Sequence, residues 1–231
     1  MIKPEVSLVI PFYNEEGNVE KVIQELSSEF KKNKISYEIL AVNNGSWDKT
    51  PIIINKLTKE NKNIRKIDVK KNKGYGYGIL TGLKYAKGSY VGYGWGDNQI
   101  AASDFVKVFK RLKQNNLDIC KVKRILRTES FSRKVQSKLY NFLVLILFSA
   151  NIKDVNGCPK IMKKAVYKSL NLKSYDWFLD PELIIKAKRK KFKIEELPVI
   201  SSKRQKGKSK VDFKTPLEFF KNLIKYKLGL E

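Results

Sequence analysis

Short apolar runs alternate with amphipathic stretches through the first half of the chain. Val6 to Phe12 is apolar but for Ser7, the pattern of a strand buried on both faces. Asn18 to Lys32 follows, with Val19, Val22, Ile23, Leu26 and Phe30 at helical spacing, which predicts one buried face. Further strands are predicted at Glu38 to Val42, Ile64 to Val69, Tyr90 to Trp95 and Leu117 to Val122. Helices are predicted at Pro51 to Asn61, Gly78 to Ala86 and Ala102 to Gln114. Such alternation with short connections predicts a mostly parallel sheet covered on both faces. Ligands then gather at the carboxyl ends of the strands.

The second half is less regular. Ser132 to Ser149 reads as a helix, apolar almost all round in its last turns, which fits a buried helix or one that meets lipid. Asp180-Pro181-Glu182 is a helix start, with Asp180 as N-cap and Pro181 in the first turn. Lys193 to Ile200 reads as a strand, and Thr215-Pro216-Leu217-Glu218 as a capping box opening a last helix to about Leu228. That helix sets Leu217, Phe220, Leu223, Ile224 and Leu228 against Lys221, Lys225 and Lys227, a basic amphipathic pattern suited to anionic surfaces. No repeat or low-complexity linker divides the chain, so one domain with a helical tail is expected.

Composition narrows the chemistry. The 231 residues contain no histidine, which removes Ser-His-Asp and Cys-His hydrolases and His-ligated zinc. Two cysteines, Cys120 and Cys158, make no zinc cluster or disulfide framework, in keeping with a reduced, cytoplasmic setting. The net charge is +25, carried by 41 Lys and only 7 Arg. A general Lys bias and an anionic membrane surface both account for it. A nucleic-acid partner is disfavoured, because Arg is scarce and no aromatic-basic interleaving or groove-reading helix is present. The longest apolar run, Leu139 to Ala150, is too short to span a bilayer, which takes about 20 residues. The N-terminus has no signal-peptide pattern either, so the chain can lie on a membrane but is not expected to cross one by itself.

Two familiar motifs fail. Gly207-Lys208-Ser209 lacks the first glycine of a phosphate loop, since Ser202 stands there. The glycines at 74, 76 and 78, and at 92, 94 and 96, never spell the dinucleotide fingerprint. The informative residues lie after successive strands: Pro11-Phe12-Tyr13-Asn14-Glu15, Asn43-Asn44-Gly45-Ser46-Trp47-Asp48, Gly74 to Gly82, and Gly96-Asp97-Asn98-Gln99.

In that order, over about residues 5 to 213, the sequence resembles the family 2 glycosyltransferases of the GT-A fold. It is most similar to their polyprenyl-phosphate branch, the dolichyl-phosphate mannosyltransferases and undecaprenyl-phosphate glucosyltransferases. The resemblance implies a Rossmann-like α/β fold, with residues 1–213 as the transferase domain and 214–231 as the amphipathic helix. Residues 1–99 would be its nucleotide-sugar half and 100–213 its acceptor half. It implies inverting transfer from a GDP-mannose or UDP-glucose type of donor to a polyprenyl phosphate, assisted by Mg²⁺ or Mn²⁺. A separate membrane protein is a further implied partner, since many relatives carry their own transmembrane helices.

Pro11, Tyr13, Glu15, Asn43, Asn44 and Gly74 fall where the family holds the nucleotide, although Asn43 and Asn44 replace its usual Asp pair. Asp97 and Gln99 match the second Asp and the Gln of the family's metal motif, while Trp95 occupies the first Asp position. Arg124, Arg133, Arg204, Lys208 and Lys210 match its phosphate-binding positions, and Asp97, Arg124 and Arg204 are the candidate catalytic residues. A phosphate acceptor, with a second pKa near ~6, is already an anionic nucleophile and needs no base. Transfer to a glycan hydroxyl would need one, such as Asp180 or Glu182. A non-catalytic relative that binds nucleotide or lipid is the remaining alternative, prompted by Trp95 and the Asn pair.

Overall fold

The chain folds in the predicted alternation, as a computed structural model shows. It describes residues 3–127, 131–204, 206 and 215–229, and the side chains of all of these but 126–136 and 215–218. The first half runs β1 (Val6–Phe12), α1 (Val19–Lys32), β2 (Tyr37–Asn44), α2 (Thr50–Glu60), β3 (Ile64–Val69), α3 (Tyr75–Lys84), β4 (Tyr90–Tyr93) and α4 (Ala102–Gln114). The second runs β5 (Ile119–Arg127), α5 (Phe131–Phe148), β6 (Lys160–Lys163), α6 (Lys164–Leu170), α7 (Leu179–Arg189), β7 (Ile194–Ser201) and α8 (Thr215–Lys227).

The strands form one seven-stranded sheet in the order β3-β2-β1-β4-β6-β5-β7. β6 alone in this sheet runs against its neighbours, β4 and β5. The chain steps outward from β1 to β3, then crosses back to place β4 on the other side of β1. That reversal opens a crevice at the carboxyl ends of β1 and β4, the switch point where α/β sheets bind ligands. The five apolar residues predicted for the inner face of α1 are all buried. They join a core with α2 and α4, while α3, α5, α6, α7 and α8 cover the opposite face.

Three expectations need correction. α3 begins at Tyr75 rather than Gly78, and Gly76 within it serves close packing, since a Cβ there would stand 2.3 Å from the Ser174 carbonyl oxygen. Gly74 has φ 115°, and a Cβ there would stand 2.3 Å from the Tyr175 carbonyl oxygen. β6 and α6 were not foreseen, since Lys160-Ile161-Met162-Lys163 carries a lysine at each end and reads as surface. Lys160 is nonetheless fully buried, its ammonium 2.6 Å from Asp180 Oδ1. Finally, Asp180 is no N-cap: Phe178 holds that position, and Asp180 lies one residue inside α7. Its carboxylate accepts from Lys160 and from the Tyr93 hydroxyl (2.7 Å) instead of from the helix N-terminus.

α5 is neither wholly buried nor wholly exposed. Tyr140 and Val144 face the core, whereas Leu139, Phe142, Leu145 and Ile146 are exposed. α8 packs beside it and adds exposed Phe220, Ile224 and Leu228. Among the described residues no helix is long and apolar enough to cross a membrane. The capping box at residues 215–218 lies outside the described side chains.

The α1 core gives the first prediction. Phe30 is fully buried, with ring centroids 5.6 Å from Tyr37 and 6.5 Å from Phe109. Phe30→Ala is expected to lower the unfolding free energy by about 3–5 kcal/mol in urea titration.

Candidate active site

Two turns are laced together at the end of β1. Asn14 adopts φ 52°, a left-handed geometry that asparagine tolerates better than most side chains. Its backbone N–H donates to Ser46 Oγ (3.0 Å) and its side-chain oxygen accepts from the Trp47 N–H (3.0 Å). Glu15 is thereby set at the crevice, with its own N–H on Thr50 Oγ1 at 2.9 Å. The Glu15 carboxylate is buried, accepts from Asn18 Nδ2 (2.6 Å), and pairs with the Arg204 guanidinium. Pro11 and Tyr13 line the same strand end, half-buried.

Asp97 approaches from β4. Asn98 takes φ 57°, which turns the chain so that the Gln99 N–H donates to Asp97 Oδ1 at 3.2 Å. Gln99 then ties this turn to the end of β7: its side-chain amide donates to Ser202 O (3.0 Å), and Ser202 N–H donates to Gln99 O (2.9 Å). Arg204 follows two residues later, bonded to Glu15 and within electrostatic reach of Asp97. Burial pushes the Asp97 carboxyl above the usual range, and Glu15 adds to this against the pull of Arg204. Glu15, Asp97, Gln99 and Arg204 thus meet from three separate strand ends.

The Asn pair is turned inward. Asn43 Nδ2 donates to Asp68 Oδ1 (2.8 Å), and its Oδ1 accepts from the Ser46 N–H (3.0 Å). Asn44 Nδ2 donates to the Gly74 carbonyl (3.1 Å), while its Oδ1 is buried with no hydrogen-bond partner among the described residues. Asp68 was missed in the sequence. The register sets it opposite Asn43, so a carboxylate does stand beside the position where the family writes Asp. Pairing register, which depends on tertiary structure, was the only signal that could have revealed it.

Arg124 sits farther along, at β5. Its Nε and Nη2 donate to the two oxygens of Asp154 (2.8 and 2.9 Å), and its backbone N–H also reaches Asp154 Oδ2 (3.0 Å). The guanidinium lies over the Trp95 ring, 4.8 Å from its centroid. Arg133 lies in α5 with its side chain outside the described ones, and Lys208 and Lys210 lie outside the described residues. The two proposed bases are both committed. Asp180 is 2% exposed and held by Lys160 and Tyr93, while Glu182 is fully buried, accepts from the N–H groups of Lys173 and Ser174, and pairs with Lys186.

A divalent cation would find a sparse site. Among the described residues no group of three His, Cys, Asp or Glu side chains is clustered to hold a metal. Among the described residues, Asp97 spends one oxygen on Gln99 and Gln99 spends its amide N–H on Ser202, with no hydrogen bond to the other Asp97 oxygen or the Gln99 side-chain carbonyl. Hard cations commonly take one or two protein carboxylates and complete their shell with substrate phosphates. The residues fit on those terms.

The sheet order and the switch-point crevice are those of a GT-A type of α/β fold. The chain belongs to glycosyl transferase family 2, whose model matches residues 7–170. It is 28% identical over 249 residues to the dolichyl-phosphate beta-glucosyltransferase ALG5D of Trichomonas vaginalis, covering 99% of this chain and 76% of that one. It is 27% identical over 218 residues to glycosyltransferase AglD of Haloferax volcanii, covering 90% of this chain and 34% of AglD. Among solved structures, glucosyl-3-phosphoglycerate synthase from Mycobacterium tuberculosis, in complex with Mn²⁺, UDP and glucosyl-3-phosphoglycerate, superposes with a TM-score of 0.76 at 15% identity. That match covers 98% of this chain and 80% of the synthase. The mannosyltransferase PcManGT from Pyrobaculum calidifontis, with GDP-Man and Mn²⁺, gives 0.63 at 17% identity, over 90% of this chain and 59% of its own.

The Asp97 environment makes a prediction of opposite signs. Its folded pKa is raised above the ordinary 3.8, so its stabilising contribution is present below that value and lost as pH rises through the folded pKa. At neutral pH the buried carboxyl therefore contributes less to stability than it does in acid. Asp97→Asn is expected to keep or raise Tm at pH 7, with the advantage gone below about pH 4. The same variant should lose at least about tenfold in Mn²⁺-dependent affinity for a nucleoside diphosphate. Scanning and titration calorimetry read the two effects; a lower Tm with unchanged affinity would make Asp97 a turn residue only.

Proposed function

We propose that this enzyme transfers a hexose from a nucleotide sugar to the phosphate of a polyprenyl phosphate, with inversion, at the cytoplasmic face of a membrane. The observation that carries the reading is the commitment of Asp180 and Glu182. Neither is open to take a proton from an acceptor hydroxyl, and a phosphate acceptor has no proton to lose. Its oxygen attacks the anomeric carbon, the bond to the donor diphosphate breaks, and nucleoside diphosphate leaves. The name of the Trichomonas relative weighs toward a glucosyl donor and a dolichyl-type acceptor.

Each residue then has a task. Pro11, Tyr13, Glu15, Asn43, Asn44 and Gly74 surround the nucleoside, with Asp68 beside them. Asp97, with Gln99, would hold Mg²⁺ or Mn²⁺, which would supply positive charge to the donor diphosphate. Arg204 meets phosphate oxygens with a forked donor, and Arg124, its own fork on Asp154, adds fixed positive charge beside them, joined by Arg133, Lys208 and Lys210. Arg204 must exchange Glu15 for phosphate as substrates enter, which couples donor site to acceptor site. Residues 1–99 supply the donor half and 100–213 the acceptor half.

The acceptor's lipid lies against the α5–α8 surface. Leu139, Phe142, Ile146, Phe220, Ile224 and Leu228 form its exposed apolar part, rimmed by Lys138, Lys221 and Lys225. Lys and Arg near an anionic membrane contribute about 1 kcal/mol each, so a chain of net charge +25 is drawn to such a surface. A separate membrane protein can share it.

Two assays test this. Label from UDP-[¹⁴C]glucose or GDP-[¹⁴C]mannose should enter the organic phase with polyprenyl phosphate and not with free polyprenol. Its rate should fall about tenfold per pH unit below about pH 6, as the acceptor gains its second proton. Transfer to polyprenol, or to a water-soluble glycan alone, would install the hydroxyl reading; binding of donor without any transfer would install the non-catalytic one. In vesicle flotation, Phe142→Glu or Ile224→Glu is expected to weaken association with phosphatidylglycerol vesicles at least about tenfold, and wild-type protein should not float with neutral vesicles.

A further inference from the structure

Trp95 stands where the resemblance places a metal-binding carboxylate, and its contacts give it another task. The indole Nε1–H donates to the Tyr75 hydroxyl at 3.1 Å. Tyr75 in turn stacks on Trp177, with centroids 4.5 Å apart and an interplanar angle of 17°, and its hydroxyl lies 3.6 Å from Cys158 Sγ. Two rings and a hydrogen bond therefore fix the plane of the indole before any ligand arrives. Over that plane lies Arg124, whose fork is already aligned by Asp154.

We propose that Trp95 is a positioning residue for Arg124, an aromatic plate that holds the guanidinium as fixed positive charge beside phosphate. The inference rests on reading Arg124 as part of the phosphate site. Charge explains why an indole serves here. Asp154 already balances Arg124, so a carboxylate at position 95 would compete for the fork and add a second anion beside the entering phosphates. A ring face attracts the guanidinium without carrying charge, and leaves the Asp154 fork intact. A bound cation would then rely on Asp97, and the fixed Arg124 guanidinium supplies positive charge of its own beside it.

The test begins on the resting protein. With only seven arginines, the ¹H–¹⁵N Nε resonance of Arg124 is identified by its loss in Arg124→Lys. It should be shifted upfield by the indole ring current, relax downfield in Trp95→Leu, and stay upfield in Trp95→Phe. Trp95→Met carries the same expectation should Leu not fold. In the transfer assay Trp95→Leu should lose about tenfold in kcat with donor KM within about threefold, and Trp95→Phe should recover most of it, as a contact of this kind allows. Trp95→Asp should lose both the upfield shift and turnover. An Arg124 resonance indifferent to Trp95→Leu overturns the proposal, and so does a Trp95→Asp enzyme that binds Mn²⁺ more tightly and turns over faster. Absence of transfer in the wild type would count against the lipid-phosphate reading alone, because the resonance needs neither donor nor acceptor.

Discussion

A lysine ammonium with no exposed surface must find an anion, and Lys160 finds Asp180. Burial works against the lysine charge, yet Asp180 holds the Lys160 pKa above its ordinary value. Losing either partner alone would strand a buried charge, at a cost of roughly 3–5 kcal/mol. Much of the molecule follows from satisfying this pair. It ties β6, the antiparallel strand between β4 and β5, to α7 on one face of the sheet. It also draws Asp180 away from capping α7, ties in the Tyr93 hydroxyl, and removes a carboxylate that could have served as a base.

A second buried lysine repeats the logic one strand over. Lys121 donates to Asp154 O, Val122 O and Glu196 Oε1, and its pKa is lowered, chiefly by burial and then by the nearby Lys160 charge. Glu196 also receives the N–H groups of Lys153 and Asp154. The loop that carries Asp154 is therefore held at its backbone before its side chain grips Arg124. Rigidity at the Arg124 guanidinium comes from these hydrogen-bonded polar groups packed beside it.

Periodicity made the first half legible. α4 matches its predicted bounds, β3 likewise, and every predicted inner residue of α1 is buried, because sheet and helix faces repeat regularly when one core covers them. Where sequence reasoning slipped, a local rule was overridden by a distant partner. Asp-Pro-Glu spells a helix start, but Lys160 lies 20 residues away in the chain and claims the aspartate. Lys160 and Lys163 bracket a strand that looks like surface. Tyr75, Trp177 and Asp154 carry no local motif at all; only folding brings them to Trp95 and Arg124.

The two halves of the crevice divide charge differently. At β1 and β4, carboxylates face an arginine that can leave: Arg204 is borrowed by Glu15 and comes from a loop, so phosphate can displace the carboxylate as its partner. At β5 the arginine is held on two sides, by the Asp154 fork and the Trp95 ring, and substrates must come to it. A fixed cation needs no reorganisation when charge develops on the departing diphosphate, the condition under which electrostatic stabilisation is worth most. A movable one can follow the substrate in and return to Glu15 afterwards. On the proposed reading a single metal carboxylate would suffice in that setting, because a protein cation held in advance would share the task of neutralising phosphate.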